Sequence, residues 1–258
     1  MKKKIIIVIL ILVSGASGAT DKSINGAAVR GDQILTCAAE MQAESLTGTI
    51  VTPSEVLISI TAIQDDRFTT AMLSAIRKSD TAQTVEERQA VANQFARIAA
   101  TEKNQWTPLY YAALNNLMMS FMDISADQKE KLINLAQQQI EAGLKLKPEE
   151  TELMVLKLLS YYGQMALNPM AAMNLMGEAA KLIERMKTLN PDNPRIYLEQ
   201  AEATYNMPRE FGGGPEAARP FLVTAMEKFN KFVPDGPLAP DWGKERCEQL
   251  LQQAGEGH

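Results

Sequence analysis

Histidine occurs once, as His258 at the last position, and cysteine twice, as Cys37 and Cys247. A single terminal histidine excludes histidine-based acid–base catalysis, a Ser-His-Asp triad and a histidine metal site. Two distant cysteines with no Cys-x-x-Cys motif supply no zinc constellation. They could pair in an oxidising compartment. Their separation and their helical-looking settings favour two buried, inert thiols. Basic residues are also short: 26 Lys and Arg stand against 31 Asp and Glu, giving a net charge of -5 and a pI near 5.2. No basic stripe is present, so nucleic acid is not an expected partner. Strongly β-branched runs are scarce beyond the N-terminus, which leaves Ala, Leu, Met, Glu, Gln and Lys to dominate and favours helix.

Long apolar runs are absent as well. The longest, Ile5–Val13, is too short to span a bilayer. It follows Met1-Lys-Lys-Lys4 and precedes the small residues Ser14–Ala19, which is the pattern of a signal peptide cleaved after Gly18 or Ala19. No cysteine follows the run closely, so a lipid anchor is not expected. Losing its three lysines takes the net charge from -5 to -8. The mature chain is therefore expected in the periplasm or secreted, without stable membrane insertion and without attraction to an anionic membrane. Apolar residues make up 46%, enough to bury a sizeable core.

Residues 20–31 read as a loose, polar start, and residues 20–65 as an extension that is partly helical. Asp32–Ala43 suggests a short helix with Ile34, Leu35, Ala38 and Met41 on one face. Thr52-Pro-Ser-Glu55 is a helix start with a capping box, and it predicts a helix to about Gln64. Asp65-Asp-Arg67 reads as a polar break before a second helix, Phe68–Lys78. Thr84-Val-Glu-Glu87 is another capping box and opens a helix to about Ala100, with Val91, Phe95 and Ile98 inward.

From there the punctuation repeats. Thr107-Pro108, Glu150-Thr151 and Asn193-Pro194 each start a helix and lie 43 residues apart; Pro148, Pro191 and Pro234 follow helices at the same period of 43. Each period holds two helices. The first helices are about 108–122, 151–166 and 194–206, with Tyr111, Met154 and Tyr197 equivalent. The second are about 126–146, 169–189 and 215–232. Ala136, Ala179 and Leu222 form one equivalent set, Ile140, Ile183 and Met226 another, and Leu146, Leu189 and Phe232 a third. A last helix, Trp242–Gln253, is expected after an Asp241 cap, with Cys247, Leu250 and Leu251 inward. Lys244, Glu245 and Gln249 would give it the polar outer face of a terminal cap.

The spacing predicts an all-α fold, a tetratricopeptide-like stack of antiparallel helix pairs (an α-solenoid) over residues 66–253 with a C-terminal capping helix. The period is longer than the usual figure of about 34, and no copy keeps the consensus Trp-Leu-Gly-Tyr signature. Several motifs resemble a family of secreted tetratricopeptide-repeat proteins from Bacteroidetes. They are Phe95-Ala-Arg-Ile98, Glu102–Ala113, Asn190-Pro-Asp-Asn-Pro194, Phe211-Gly-Gly-Gly214 and Pro237–Gly243. The likeness covers about residues 68–253 and implies the fold and an exported location, and no particular activity. The Phe-Gly-Gly-Gly turn alone also resembles periplasmic repeat proteins that accompany some solute transporters.

Chemistry-bearing patterns are few. Asp65-Asp66, Glu86-Glu87 and Glu149-Glu150 are sequence neighbours at helix ends rather than facing pairs, and Glu86-Glu87-Arg88 suits a solvated first turn. Gly212-Gly-Gly214 could offer backbone N–H groups to an anion. It lacks the Lys-Ser/Thr of a phosphate loop, and a tight helix link explains it. The aromatics Trp106, Tyr110, Tyr111, Tyr161, Tyr162, Tyr197 and Tyr205 fall mostly on first helices, which line the concave side of such stacks. They are the candidate binding surface, although packing between pairs also accounts for each one. The methionines of Leu117–Met122 and Met170–Met176 suit core filling before an adaptable surface. The expected function is a non-catalytic binding or scaffold protein, not an enzyme. It would hold a protein or peptide segment and need no cofactor and no metal. The alternative is a small-solute-binding accessory of a transporter, with an enclosed pocket between helix pairs.

Overall fold

A computed structural model describes the backbone of residues 53–255, with side chains from Asp66 onward apart from Pro169. The expected signal peptide, the helix at Asp32–Ala43, Cys37, the Thr52 cap and His258 lie outside the described residues. The described core lies within the compact unit that begins at Thr61.

The described residues form nine α-helices and no strand. They are α1 (Pro53–Thr81), α2 (Val85–Thr101), α3 (Thr107–Ser120), α4 (Ala126–Leu146), α5 (Thr151–Leu167), α6 (Pro169–Leu189), α7 (Pro194–Asn206), α8 (Pro215–Phe229) and α9 (Lys244–Gly255). Each packs against its chain neighbour from α2 to α8, and α9 closes on α8. The first helices of successive pairs also touch directly, α3 on α5 and α5 on α7. This is a stack of antiparallel helix pairs, as the period requires.

Local chemistry sets the starts. Thr84 caps α2 and Ser125 caps α4, both in full capping boxes with Glu87 and Gln128. Asn168 and Asn193 accept from the backbone N–H groups two residues on, each ahead of a first-position proline. The core follows the predicted faces. Phe95, Leu117, Ile133, Ala136, Ile140, Leu153 and Leu156 are all fully or almost fully buried in one cluster spanning α2 to α5. Burial of each large member is worth about 1.5–3 kcal/mol. Ala179, Ile183, Met186 and Leu222 are buried at the equivalent later positions.

Three expectations need correction. No break occurs at Asp65–Arg67: α1 runs through it as one helix. That triplet holds neither glycine nor proline, and the exposed Asp66 and Arg67 sit comfortably on a solvated helix face. The last helix begins at Lys244, not Trp242. Gly243 takes φ +108°, and a Cβ there would come 2.8 Å from the Phe229 ring and 3.0 Å from Leu198. Gly243 also accepts from the Cys247 N–H, so it is the residue that starts the helix. The third helix-end set is not uniformly inward, since Leu146 is exposed.

Candidate functional site

The aromatic row of the first helices is largely covered by the protein's own chain. Tyr110 is 0% exposed and Tyr111 4%. Tyr111 stacks on Phe95 at 5.1 Å, and Tyr110 meets the Tyr111 and Trp106 rings edge-on. Between α8 and α9 the segment 230–243 returns across these helices as a strap. Trp242 Nε1–H donates to the Tyr110 hydroxyl at 2.7 Å. The Tyr111 O–H donates to the Leu238 carbonyl at 3.2 Å, and Arg195 donates to the Pro240 carbonyl at 2.7 Å. The Arg195 guanidinium lies over the rings of Phe232 at 4.8 Å and Trp242 at 5.2 Å.

Tyr110 and Tyr111 therefore belong to a closed interior rather than an open face. Trp106, Tyr161, Tyr162, Tyr197 and Tyr205 are half-buried. Several already hold a cation of the same chain: Lys147 over Trp106, Lys157 over Tyr161, and both Lys187 and Lys228 over Tyr197. The structure does not gather the seven aromatics into one site.

Beneath the strap lies a charged cluster that sequence reasoning missed. Arg195 on α7 bonds Glu152 on α5 at 3.0 Å, and Asn193 donates to the same carboxylate oxygen at 2.9 Å. Burial outweighs these partners and lifts the Glu152 carboxyl from 4.5 to about 6. One turn on from Arg195, Glu199 is 3% exposed, and its Oε2 has no hydrogen-bond partner. Burial raises this carboxyl well above the ordinary range, and the Glu202 charge adds to the effect, while Arg246 and Arg195 oppose it. The only sequence signal for the Glu152–Arg195 pair was the period itself, since the two residues stand 43 apart.

A carboxyl raised in the folded state binds protons more tightly there than in the unfolded chain. Its contribution is complete below the unfolded value and is lost as pH rises through the folded one. For Glu152 this window runs from about 4.5 to about 6, and for Glu199 it extends upward from 4.5. Glu199→Gln is thus expected to leave stability unchanged near pH 4 and to raise it progressively at higher pH, by roughly 1.4 kcal/mol for each unit of displacement removed. Urea midpoints across pH 4–8 measure this. Parallel curves for the variant and the parent would contradict it.

The glycine turn is structural. Gly212, Gly213 and Gly214 donate their N–H groups to the carbonyls of Arg209, Pro208 and Thr204, so none points at a ligand. A Cβ on Gly213 would overlap the Met207 carbonyl oxygen. Glycine is required there by close backbone approach. No cluster of three or more His, Cys, Asp or Glu suited to a metal ion occurs among the described residues. Two shallow, open grooves run along α1 and α2 and share Arg67, Ala71 and Gln94 in their linings. The Cys247 thiol is buried, donates to the Leu222 carbonyl at 3.4 Å and is pushed up to about 11 by burial, so it is not a reactive group.

The unusual open surface lies elsewhere. Met170 is 91% exposed, Met173 84% and Met176 51%, all on the first half of α6. This corrects the expectation that they fill the core. Ala179, Ile183 and Met186 take that inward role further along α6, and the three methionines face out. From Leu158 to Gly177 the chain carries no charged side chain. Phe121, in the turn after α3, is 49% exposed, and Phe211, in the turn after α7, is 75% exposed. The turns inside successive helix pairs thus each present a large apolar side chain. Methionine is ordinarily a buried residue, so this concentration of exposed ones is unusual.

No protein-family model matches the chain, and no curated protein matches it. Among solved structures, the HusA haemophore from Porphyromonas gingivalis is similar, with a TM-score of 0.65 and 24% sequence identity. The match covers 74% of this chain and 94% of that one. The likeness shows that the two share a fold.

Proposed function

We propose that this chain is an exported, non-catalytic binding protein that holds a flat, largely apolar ligand of the haem class on its uncharged α5–α6 surface. The observation that carries the reading is the 91% and 84% exposure of Met170 and Met173 within a stretch free of charge. Methionine is flexible and polarisable, so it moulds to a ring face. The shared fold with a haemophore supports the ligand class. The two most deeply buried acids, Glu152 and Glu199, serve the interior and not a cleft, which argues against hydrolytic chemistry.

Titration with haemin, followed by the Soret band, tests this. Saturable binding is expected, with Met170→Glu/Met173→Glu weakening it at least about tenfold, since a charge placed against the ring costs more than about 1.4 kcal/mol. Absence of a saturable shift, or equal affinity in the variant, would remove the proposal.

A peptide partner is the second reading. The first helices already hold a non-helical segment of their own chain by donating from Tyr111 and Arg195 to its carbonyls, a backbone-directed mode open to a peptide of another chain. In-cell crosslinking from the half-buried Tyr197 and Tyr205 positions separates the two readings by recovering either a protein or none.

A further inference from the structure

The three exposed methionines also form a pattern that apolar contact alone does not use. Met170, Met173 and Met176 recur at every third position of one helix. Side chains three apart on a helix are surface neighbours, with Cβ atoms about 5–6 Å apart, so Met173 adjoins both of the others. Three rotatable bonds let each thioether swing toward its neighbour. Space for that motion exists. Gly177, one turn beyond Met173, has nothing within 4 Å of the position a Cβ would take. No free charge adjoins them along the chain, because Glu178 is held by Lys181 at 3.0 Å and no charge precedes it back to Lys157.

We infer that Met170, Met173 and Met176 make a thioether site for a soft monovalent metal ion of the copper(I) class. Neutral sulfur donors select such ions over zinc, calcium or magnesium, which want nitrogen, thiolate or oxygen. Such a site needs no cluster of His, Cys, Asp or Glu, and the described residues hold none. The inference does not rest on haem binding. It concerns sulfur as an electron-pair donor, whereas the haem reading concerns an apolar surface.

Leucine separates the two, because it keeps the volume and apolarity of methionine and removes the sulfur. Copper(I), held reduced by ascorbate, is offered to the full mature chain in competition with the chromophoric chelator bicinchoninate. The wild type is expected to withdraw the metal. Met170→Leu/Met173→Leu/Met176→Leu is expected to lose at least tenfold in affinity while its circular dichroism and its urea midpoint stay the same. Met173→Leu should have the largest single effect, since Met173 adjoins both partners. X-ray absorption at the copper edge should show sulfur neighbours. Failure of the wild type to compete, equal competition by the triple variant through Cys37 or His258, or a sphere dominated by nitrogen and oxygen would each overturn the inference.

Discussion

Replacing Arg195 by alanine is expected to destabilise the fold by about 3–5 kcal/mol, the usual loss when one partner of a buried ion pair is removed. Arg195 is 0% exposed and serves four partners at once. It neutralises Glu152 on α5, donates to the Pro240 carbonyl of the strap, and packs under the Trp242 and Phe232 rings. Without it, Glu152 keeps Asn193 alone as a side-chain donor. For a unit of this size the fall in Tm is roughly 10 °C. The pair itself is not therefore worth that much, because burying two charges is costly before they attract. Arg195→Met/Glu152→Met is accordingly expected to recover most of the loss. Thermal unfolding of the two single variants and the double variant forms the cycle that tests this. An Arg195→Ala protein as stable as the parent would show that the cluster is dispensable.

Trp242→Ala is expected to cost about 3 kcal/mol, toward the low end for loss of a large aromatic because the ring is only half-buried. The Trp242 half of the apolar cover over Arg195 and the 2.7 Å bond to Tyr110 disappear together, leaving Phe232 as the remaining cover. Trp242→Phe keeps the cover and loses the N–H donor, so it should cost about 1 kcal/mol. Hydrogen exchange supplies the second readout. In Trp242→Ala the amides of the strap and of the start of α9 should lose protection before those of α3 or α5, since their tie to the stack is weakened. Uniform loss across all helices would instead mean that the strap has no separate stability.

The helix pairs were legible because their signals are local. A capping box needs four residues, as at Thr84–Glu87, and an Asn-Pro start needs two, as at Asn193-Pro194. Periodicity then located the buried faces of α4, α6 and α8. The strap was not legible for the opposite reason. Its bonds to α3 join residues 127 and 132 apart, and two of its three bonds end on backbone carbonyls, which carry no residue identity. Tyr110 and Tyr111 were assigned correctly to a first helix, yet no local pattern could say that Leu238 and Trp242 would cover them. The outward turn of Met170 and Met173 was hidden similarly. Alanine-rich neighbours and an apolar composition describe a core helix and an exposed apolar helix equally well. Only the choice of which side meets α5 distinguishes them.

The strap also changes what kind of object a repeat stack is. An array whose units touch only their neighbours can gain or lose a unit and can fray from either end. Here α3, the first helix of the first 43-residue copy, is bonded to the segment that leads into the terminal helix α9. The closure works as a gauge of copy number. With one pair added, a strap of fixed length would no longer reach Tyr110; with one removed, Arg195 and Pro240 would fall out of register. Lineages of this chain should therefore vary in their loops and termini while holding the number of pairs constant, and unfolding should be a single transition rather than a progressive unzipping.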